Sequence, residues 1–368
     1  MIQLEISDKH QETYNNARLL AEHMMRPYSR KYDKAEHTYP SEMDEVAKLM
    51  AGSGNSGSGA RKSESDPAAG DPAAGDPAAV KNAGNMSAVI GLQALAWGDL
   101  GLFMALPANG LGNAANNAVG TPEQRKKYAN AFAAMCITEP GTGSDSANIS
   151  TTAVRDGDEW VINGEKIDVT DGAHSDTLVV WATLDKSRGK AAIKSFIVEK
   201  GTPGCEVTRL EHKMGIRASD TAAISFNNCR VPLDNILGSA EIASDEEGRK
   251  KAFGGVMQTF DNTRPAVAAM ALGLARAALD MARELLAGGT DPLEILDKLT
   301  QTMQRVGDLF ANLDIFLPEV MLAGEALTAV VDIVKPELNT LDRLLVKGKV
   351  VIGVVKGDIH EIGKTIVK

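Results

Sequence analysis

The hydrophobic period changes twice along this chain, and that change constrains the fold more than any other feature. From about residue 150 to 240 the apolar residues fall in short β-type runs: Trp160-Val161-Ile162, Thr177–Ala182, Ser195–Val198 and Ala223–Phe226. Turn signals separate them at Asp156-Gly157-Asp158, Asn163-Gly164 and Pro203-Gly204. Short runs bounded by Gly, Pro and Asn read as strands. Their close spacing predicts a small β-barrel or sandwich. The segments on either side repeat at the helical period. The expected fold class is multidomain α and β. A helical N-terminal domain comes first, then a small central β-barrel domain. A C-terminal helical bundle follows and leads into an incomplete parallel α/β unit.

In the N-terminal flank, residues 7–35 read as helix, with Leu19, Leu20, His23, Met24 and Pro27 marking one face and its end. The pattern then fails. Residues 51–84 are Gly/Ser-rich and carry Asp-Pro-Ala-Ala-Gly at 66–70 and 71–75, then Asp-Pro-Ala-Ala at 76–79. A repeat without a large apolar side chain cannot bury a core, so a flexible low-complexity insert is expected. Helical character returns at about 86–106 and at 121–134, where Thr121-Pro122-Glu123-Gln124 is a helix start.

Beyond residue 248 the helical signals run over 263–287, 291–311, 316–334 and 336–346. Asp291 is placed to cap and Pro292 to occupy the first helical position. Lys349–Val355 is a continuous apolar strand followed by a loop and a helix start, the opening of a parallel α/β unit. One strand cannot form a sheet, so this segment is expected to aggregate unless it docks elsewhere.

Composition narrows the function. With 368 residues the chain can hold two or three domains. Aromatics are only 4%, so the cores are expected to be built from Ala, Leu, Val and Met. A net charge of -10 argues against nonspecific nucleic-acid binding, because no basic face is available for phosphates. Cys136, Cys205 and Cys229 have no CxxC spacing and read as reduced thiols of a cytoplasmic protein. The polar start does not resemble a signal peptide. No uncharged apolar run reaches about 18 residues, so no membrane span is expected.

Three motifs occur in an informative order. Residues 136–145 read Cys-Ile-Thr-Glu-Pro-Gly-Thr-Gly-Ser-Asp. The segment Trp160–Thr170, expected to form a hairpin, follows, and then Phe260-Asp261-Asn262-Thr263-Arg264-Pro265. Together they resemble the acyl-CoA dehydrogenases, over about residues 1–282 apart from the insert. The resemblance implies FAD as cofactor and α,β-dehydrogenation of an acyl-CoA substrate. If the chain is active, electrons pass to an electron-transferring flavoprotein, and a homo-oligomer is expected. It places Met135, Ile137, Thr138, Gly143, Ser144, Asp168, Val169 and Thr170 around the flavin. Backbone N–H groups would meet the pyrimidine edge, and the Thr170 hydroxyl would lie near N5. Ser144, Asp261 and Arg264 would hold the acyl-CoA, Arg264 through a charge-assisted bond. Taken singly, Thr138 and Thr170 read equally well as ordinary strand threonines.

Departures from the family pattern carry expectations of their own. Asp168 stands where the family has a bulky residue. A carboxylate desolvated against a flavin would oppose its anionic reduced form and weaken retention. The family's catalytic glutamate is missing: the later helical segment that usually carries it is replaced, and the position a minority uses is Thr263. Losing the base costs a factor of about 10²–10⁴, and the catalytic residue is left unassigned. The segment through which a neighbouring subunit usually grips the flavin pyrophosphate is not found after residue 265.

Residues from about 281 to 368 carry a second resemblance, to the corrinoid-binding modules of methyl-transfer proteins. Supporting phrases are Ala287–Ile295, Phe316–Met321 and the loop Gly357-Asp358-Ile359-His360-Glu361-Ile362-Gly363-Lys364. The resemblance implies cobalamin, with His360 as cobalt ligand and Asp358 fixing its tautomer. Gly363 would allow close approach of the loop backbone to the corrin. Phe316, Leu317, Met321 and Leu322 would belong to the cap over the methyl face, or to a simple helical core. The module is expected to be truncated at Lys368. The expected division is 1–134, 135–247, 248–282, 283–346 and 347–368. Three functions follow: a dehydrogenase-like flavoprotein, a corrinoid methyl carrier, and an inactive chimeric scaffold.

Overall fold

The computed structural model describes residues 6–52, 83–107, 110–242, 254–312 and 317–338. The greater part of the 51–84 insert, the strand expected at 349–355 and the loop with Asp358, His360 and Gly363 lie outside them. The chain divides into two units, Met1–Gly273 and Leu274–Lys368.

The first unit begins with helices α1 (Asp8–Leu20) and α2 (Arg26–Lys34), joined by a widened π-turn over Ala21–Met25. Pro27 sits in the first turn of α2 and does not end the helical run. Its ring and missing N–H disturb the preceding ladder, which the π-turn accommodates. The buried face is Ala17, Ala21 and Met25, at i, i+4, i+8. The face expected from Leu19 and His23 is turned outward, and Leu19 is 53% exposed. Small Ala side chains let α1 and the turn approach α4 (Ala83–Gly98) closely. A Cβ added at Gly98 would lie 2.8 Å from the Cβ of Ala21. The Trp97 ring meets the Arg18 and Arg26 guanidinium groups at 3.0 and 4.5 Å from its centroid.

The helix expected over 86–106 is interrupted. Asp99 ends α4 and caps α5 (Leu100–Met104), its Oδ1 accepting from Leu102 N–H at 2.8 Å. α3 (Glu42–Gly52) and α6 (Leu111–Val119) complete the helical layer. The capping box at Thr121 is present, with Thr121 and Gln124 exchanging bonds of 3.0 and 3.2 Å. That helix, α7 (Pro122–Lys127), is shorter than expected because Ala133–Cys136 forms strand β1.

The remaining strands are β2 (Thr152–Asp156), β3 (Glu159–Thr170), β4 (Thr177–Thr183), β5 (Ile193–Glu199), β6 (Cys205–Leu210) and β7 (Thr221–Pro232). They form a seven-stranded sheet of order β1-β4-β2-β3-β7-β6, with β5 paired to β4. β4 is buried at every position. Its apolar run has no polar face because both faces are covered. Leu178, Val180 and Ala182 pack with Trp160, Ile162 and Phe196. Val179 and Trp181 pack with Ile193, Ile197 and Ala115 of α6.

Asn163-Gly164 is not a turn. It lies within β3, where the register against β7 shifts between Ile162 and Gly164. Gly164 has φ +151°, and a Cβ there would lie 2.5 Å from Thr151 Oγ1. The pair therefore marks a bulge in a long strand. A second shift, between Lys166 and Val169, bends the same strand.

The helix Gly254–Ala287 extends earlier than the expected 263–287 and holds Pro265 in its interior. Its stretch Thr263–Ala287 is long and apolar enough to cross a membrane by length and composition, though Arg264, Arg276, Asp280, Arg283 and Glu284 lie within it.

In the second unit, helices Pro292–Ala311 and Leu317–Leu338 pair. Ile295, Val330 and Val334 pack there with Ala282 and Leu285. The preceding helix ends in a Schellman turn. Thr290 N–H donates to Leu285 O at 2.9 Å, Gly289 N–H to Leu286 O at 3.0 Å, and Gly289 has φ +80°. Asp291 caps as expected, accepting from Leu293 N–H at 2.9 Å, with Pro292 at the first helical position.

Candidate functional site

β1 runs parallel to β4, and the loop that leaves its C-terminal end carries Ile137 to Asp145. The first turn of that loop is closed by two backbone bonds: Glu139 N–H to Thr142 O at 3.1 Å and Thr142 N–H to Glu139 O at 3.0 Å. Beneath it lies an ion pair that nothing in the sequence pattern announced. Lys166 and Glu139 side chains are 0% and 2% exposed, with Nζ and Oε1 2.8 Å apart. Lys166 Nζ also donates to Ile137 O at 3.1 Å. Glu139 accepts from Thr151 N–H at 2.9 Å, and from Ser150 N–H and Oγ–H at 2.6 Å each.

A buried pair is tolerable only when its other lone pairs and protons are satisfied; here the carboxylate accepts four bonds and the ammonium places two of its three protons. Burial raises the Glu139 pKa, but the bonds from Lys166, Ser150 and Thr151 outweigh it and hold the carboxyl down at about 2. Burial lowers the Lys166 pKa, and Glu139 opposes that shift.

This pair fastens the loop to β3. Ile167 N–H donates to Thr138 O at 2.9 Å, so the loop and the bulged end of β3 are joined three residues before Thr170. The structure thereby brings together the two stretches that carry the expected flavin contacts. Met135 and Thr138 are half-buried, while Gly143 and Ser144 are exposed. The Ile137 and Val169 side chains are spent on the two hydrophobic cores, leaving only their backbone for a ligand. Thr170 is half-buried at the end of β3. Asp168 is exposed and adopts φ +55°, a left-handed conformation that goes with the bulge.

The arrangement fits the flavin that the motifs imply. Nothing lies within 4 Å of a Cβ built at Gly141 or Gly143, so the loop face is open. The hydroxyls of Thr138, Ser144 and Thr170 have no hydrogen-bond partner among the described residues. Backbone donors and free hydroxyls at the open end of a rigid sheet suit a polar ring edge. Asp261 lies in the helix Gly254–Ala287, and its side chain is outside the described set. Arg264 is exposed on that helix, and Thr263 is half-buried.

A second polar cluster follows Thr170 directly. Asp171 is buried, and its Oδ1 accepts from Ser219 Oγ at 3.0 Å. Asp220, also buried, accepts from Ala173 N–H at 3.2 Å and bonds the Nδ1 of His174. Tyr39 stacks on His174 with centroids 5.0 Å apart. Burial, then the charge of Asp220, pushes the Asp171 pKa up to about 8. Burial and the neighbouring Asp220 therefore favour the protonated form of Asp171, held one residue beyond Thr170. Two single acids far apart in sequence leave no spacing signal, so sequence reading had no means of finding them.

Comparison with known proteins agrees with this architecture. Residues 134–229 match the family model "acyl-CoA dehydrogenase, middle domain", and residues 265–335 match a "B12 binding domain". Both matches thus lie in one chain. The cyclohex-1-ene-1-carbonyl-CoA dehydrogenase of Geobacter metallireducens is 42% identical over 170 residues, covering 44% of this chain and 42% of that protein. The chain thus matches less than half the length of such relatives. Among solved structures, butyryl-CoA dehydrogenase from Megasphaera elsdenii aligns with a TM-score of 0.63 and 25% identity, over 92% of this chain and 89% of that one. A structure described as the electron transferring flavoprotein of Acidaminococcus fermentans aligns with a TM-score of 0.61 and 26% identity, over 92% of this chain and 89% of that one.

Proposed function

We propose that this chain binds FAD at the end of β1 and β3 and carries out slow α,β-dehydrogenation of an acyl-CoA. The observation that carries this reading is the buried Lys166–Glu139 pair, which clamps the 137–145 loop to the strand bearing Thr170. A clamp of that cost is expected where a loop must hold a fixed shape for a ligand. Bound FAD would supply the hydride acceptor. The loop backbone and the Thr138 and Thr170 hydroxyls would orient it, and Ser144 and Arg264 would hold the thioester's carrier. No carboxylate stands at position 263, so removal of the α-proton lacks a dedicated acceptor. Against a typical enzyme turnover of about 10 per second, losing about 10²–10⁴ in rate leaves about 10⁻¹ to 10⁻³ per second. An electron-transferring flavoprotein is the acceptor this reading implies, and a cytoplasmic location goes with it.

The test is anaerobic. FAD-loaded protein is mixed with a panel of saturated acyl-CoA thioesters, and flavin bleaching is followed. Bleaching on the scale of seconds to minutes supports the reading, and its acceleration in Thr263→Glu would locate the missing base. Flavin that stays oxidised with every thioester, in both proteins, overturns it.

A second reading rests on a separate observation, the match of residues 265–335 to a B12-binding domain. On that reading the helices after Leu274 cap a corrinoid, with His360 as ligand and Asp358 behind it. Hydroxocobalamin retained through desalting, and lost in His360→Ala, is its test.

A further inference from the structure

We propose that Glu36, His37 and His212 form a binding site for a zinc-class divalent cation, joining the turn after α2 to the loop between β6 and β7. One ligand atom from each residue, two imidazole nitrogens and a carboxylate oxygen, lies within 4.8 Å of the other two. In a four-coordinate zinc site with bonds of about 2.0–2.2 Å, ligand atoms stand about 3.3–3.5 Å apart. His212 Nδ1 already stands 2.9 Å from Glu36 Oε2, and the two imidazole rings lie 5.0 Å apart at 60°.

His37 is what distinguishes this cluster from an ordinary histidine–glutamate contact. Both of its ring nitrogens are buried with no hydrogen-bond partner. An imidazole so placed loses the hydration of both nitrogens with no hydrogen bond to replace it. The same residue is held at φ +66°, in the left-handed region. Two costs at one residue are accounted for if that ring binds something.

The surroundings are those of a ligand shell. Glu36 Oε1 accepts from Lys213 N–H at 2.8 Å, and Oε2 lies 3.1 Å from an Arg217 guanidinium nitrogen. Arg217 is itself oriented by Asp33 O at 2.7 Å and Lys213 O at 2.9 Å. These bonds orient the carboxylate, as outer partners of metal ligands do. Asp33 and Glu36 offset the nearby charges of Arg217 and Lys213. His212 is 84% exposed, which gives the ion access from solvent and leaves a position for water. None of these residues belongs to the flavin stretches.

Zinc chloride is titrated into the full chain, stripped with chelator, by calorimetry in a non-coordinating buffer, with cobalt(II) visible absorption as the geometric readout. The expected result is one saturable site with a tetrahedral cobalt band. It should weaken at least 100-fold in His37→Asn and in His212→Asn and be unchanged in His360→Ala. Asn tolerates the left-handed backbone of position 37, and His212 is exposed, so both variants should fold, with circular dichroism as the check. Absence of saturable binding overturns the proposal. So does binding that survives both substitutions, or that is lost in His360→Ala.

Discussion

Replacing Lys166 by methionine removes a cation from a buried pair while keeping most of the side chain's length. Glu139 then stays in the same cavity as an unpaired carboxylate. Breaking a buried pair from one side costs about 3–5 kcal/mol. Here the low end applies, about 3 kcal/mol, because Ser150 and Thr151 still donate to the carboxylate. Ile137 O also loses its donor, which adds about 1 kcal/mol. The total is about 4 kcal/mol, and with a urea m-value of about 2 kcal/mol/M the midpoint falls by about 2 M.

The assay is urea unfolding followed by tryptophan fluorescence, since Trp97, Trp160 and Trp181 all lie in the unit ending at Gly273. Adding Glu139→Gln removes the stranded charge but keeps an acceptor for Ser150 and Thr151, so the double variant should recover about half of the loss. The pH dependence has a definite sign. The Glu139 pKa is lowered from 4.5 to about 2, so its stabilisation is complete above pH 4.5 and is lost as pH falls from there through 2. The deficit of Lys166→Met relative to the parent should shrink as pH falls, because protonation then neutralises the stranded Glu139 carboxylate. A midpoint shift below about 0.5 M, or no rescue by Glu139→Gln, would refute the account of the clamp.

The other predictions follow from single residues. Asp171 has its pKa raised from 3.8 to about 8, so folding takes up a proton and stability falls as pH rises between those values. Relative to the parent, Asp171→Asn should gain about 1.4 kcal/mol per pH unit across pH 5–7, measured by urea midpoints at each pH; parallel profiles would exclude the assignment. Asp168→Phe should raise the flavin retained through desalting, and unchanged flavin content would show that the exposed carboxylate is irrelevant to retention. Asp291→Ala removes the cap of the helix Pro292–Ala311 and should cost about 1 kcal/mol, read from the thermal midpoint of the helical signal.

Legibility of the sequence tracked how local each cause was. The Thr121–Gln124 box, the Asp291 cap and the Asp156-Gly157 turn were readable because a few neighbouring residues determine them. Apolar runs long enough to register, such as Thr177–Ala182, marked their strands correctly. β1, β2 and β6 were missed: β1 is four residues of Ala, Met and Cys with no alternation, and β6 is mostly exposed. Asn163-Gly164 misled because the pair also serves a bulge, where Thr151 leaves no room for a side chain. The buried face of α1 was assigned to large side chains, but close packing on α4 selects Ala17 and Ala21. The stretches expected to meet a flavin stood out in the sequence as motifs. The Lys166–Glu139 clamp, the Asp171–Asp220 cluster and the Glu36–His37–His212 group were not, because each joins residues that only the folded sheet brings together.

The most direct test of the central claim is flavin retention by the purified full chain. The protein is incubated with FAD, desalted, and its visible spectrum recorded beside that of Lys166→Met. The account predicts a measurable but substoichiometric amount of oxidised flavin in the parent, a further large loss in the variant, and a spectral shift in the parent on adding an acyl-CoA. A colourless parent after reconstitution, or equal flavin in both proteins, would contradict it.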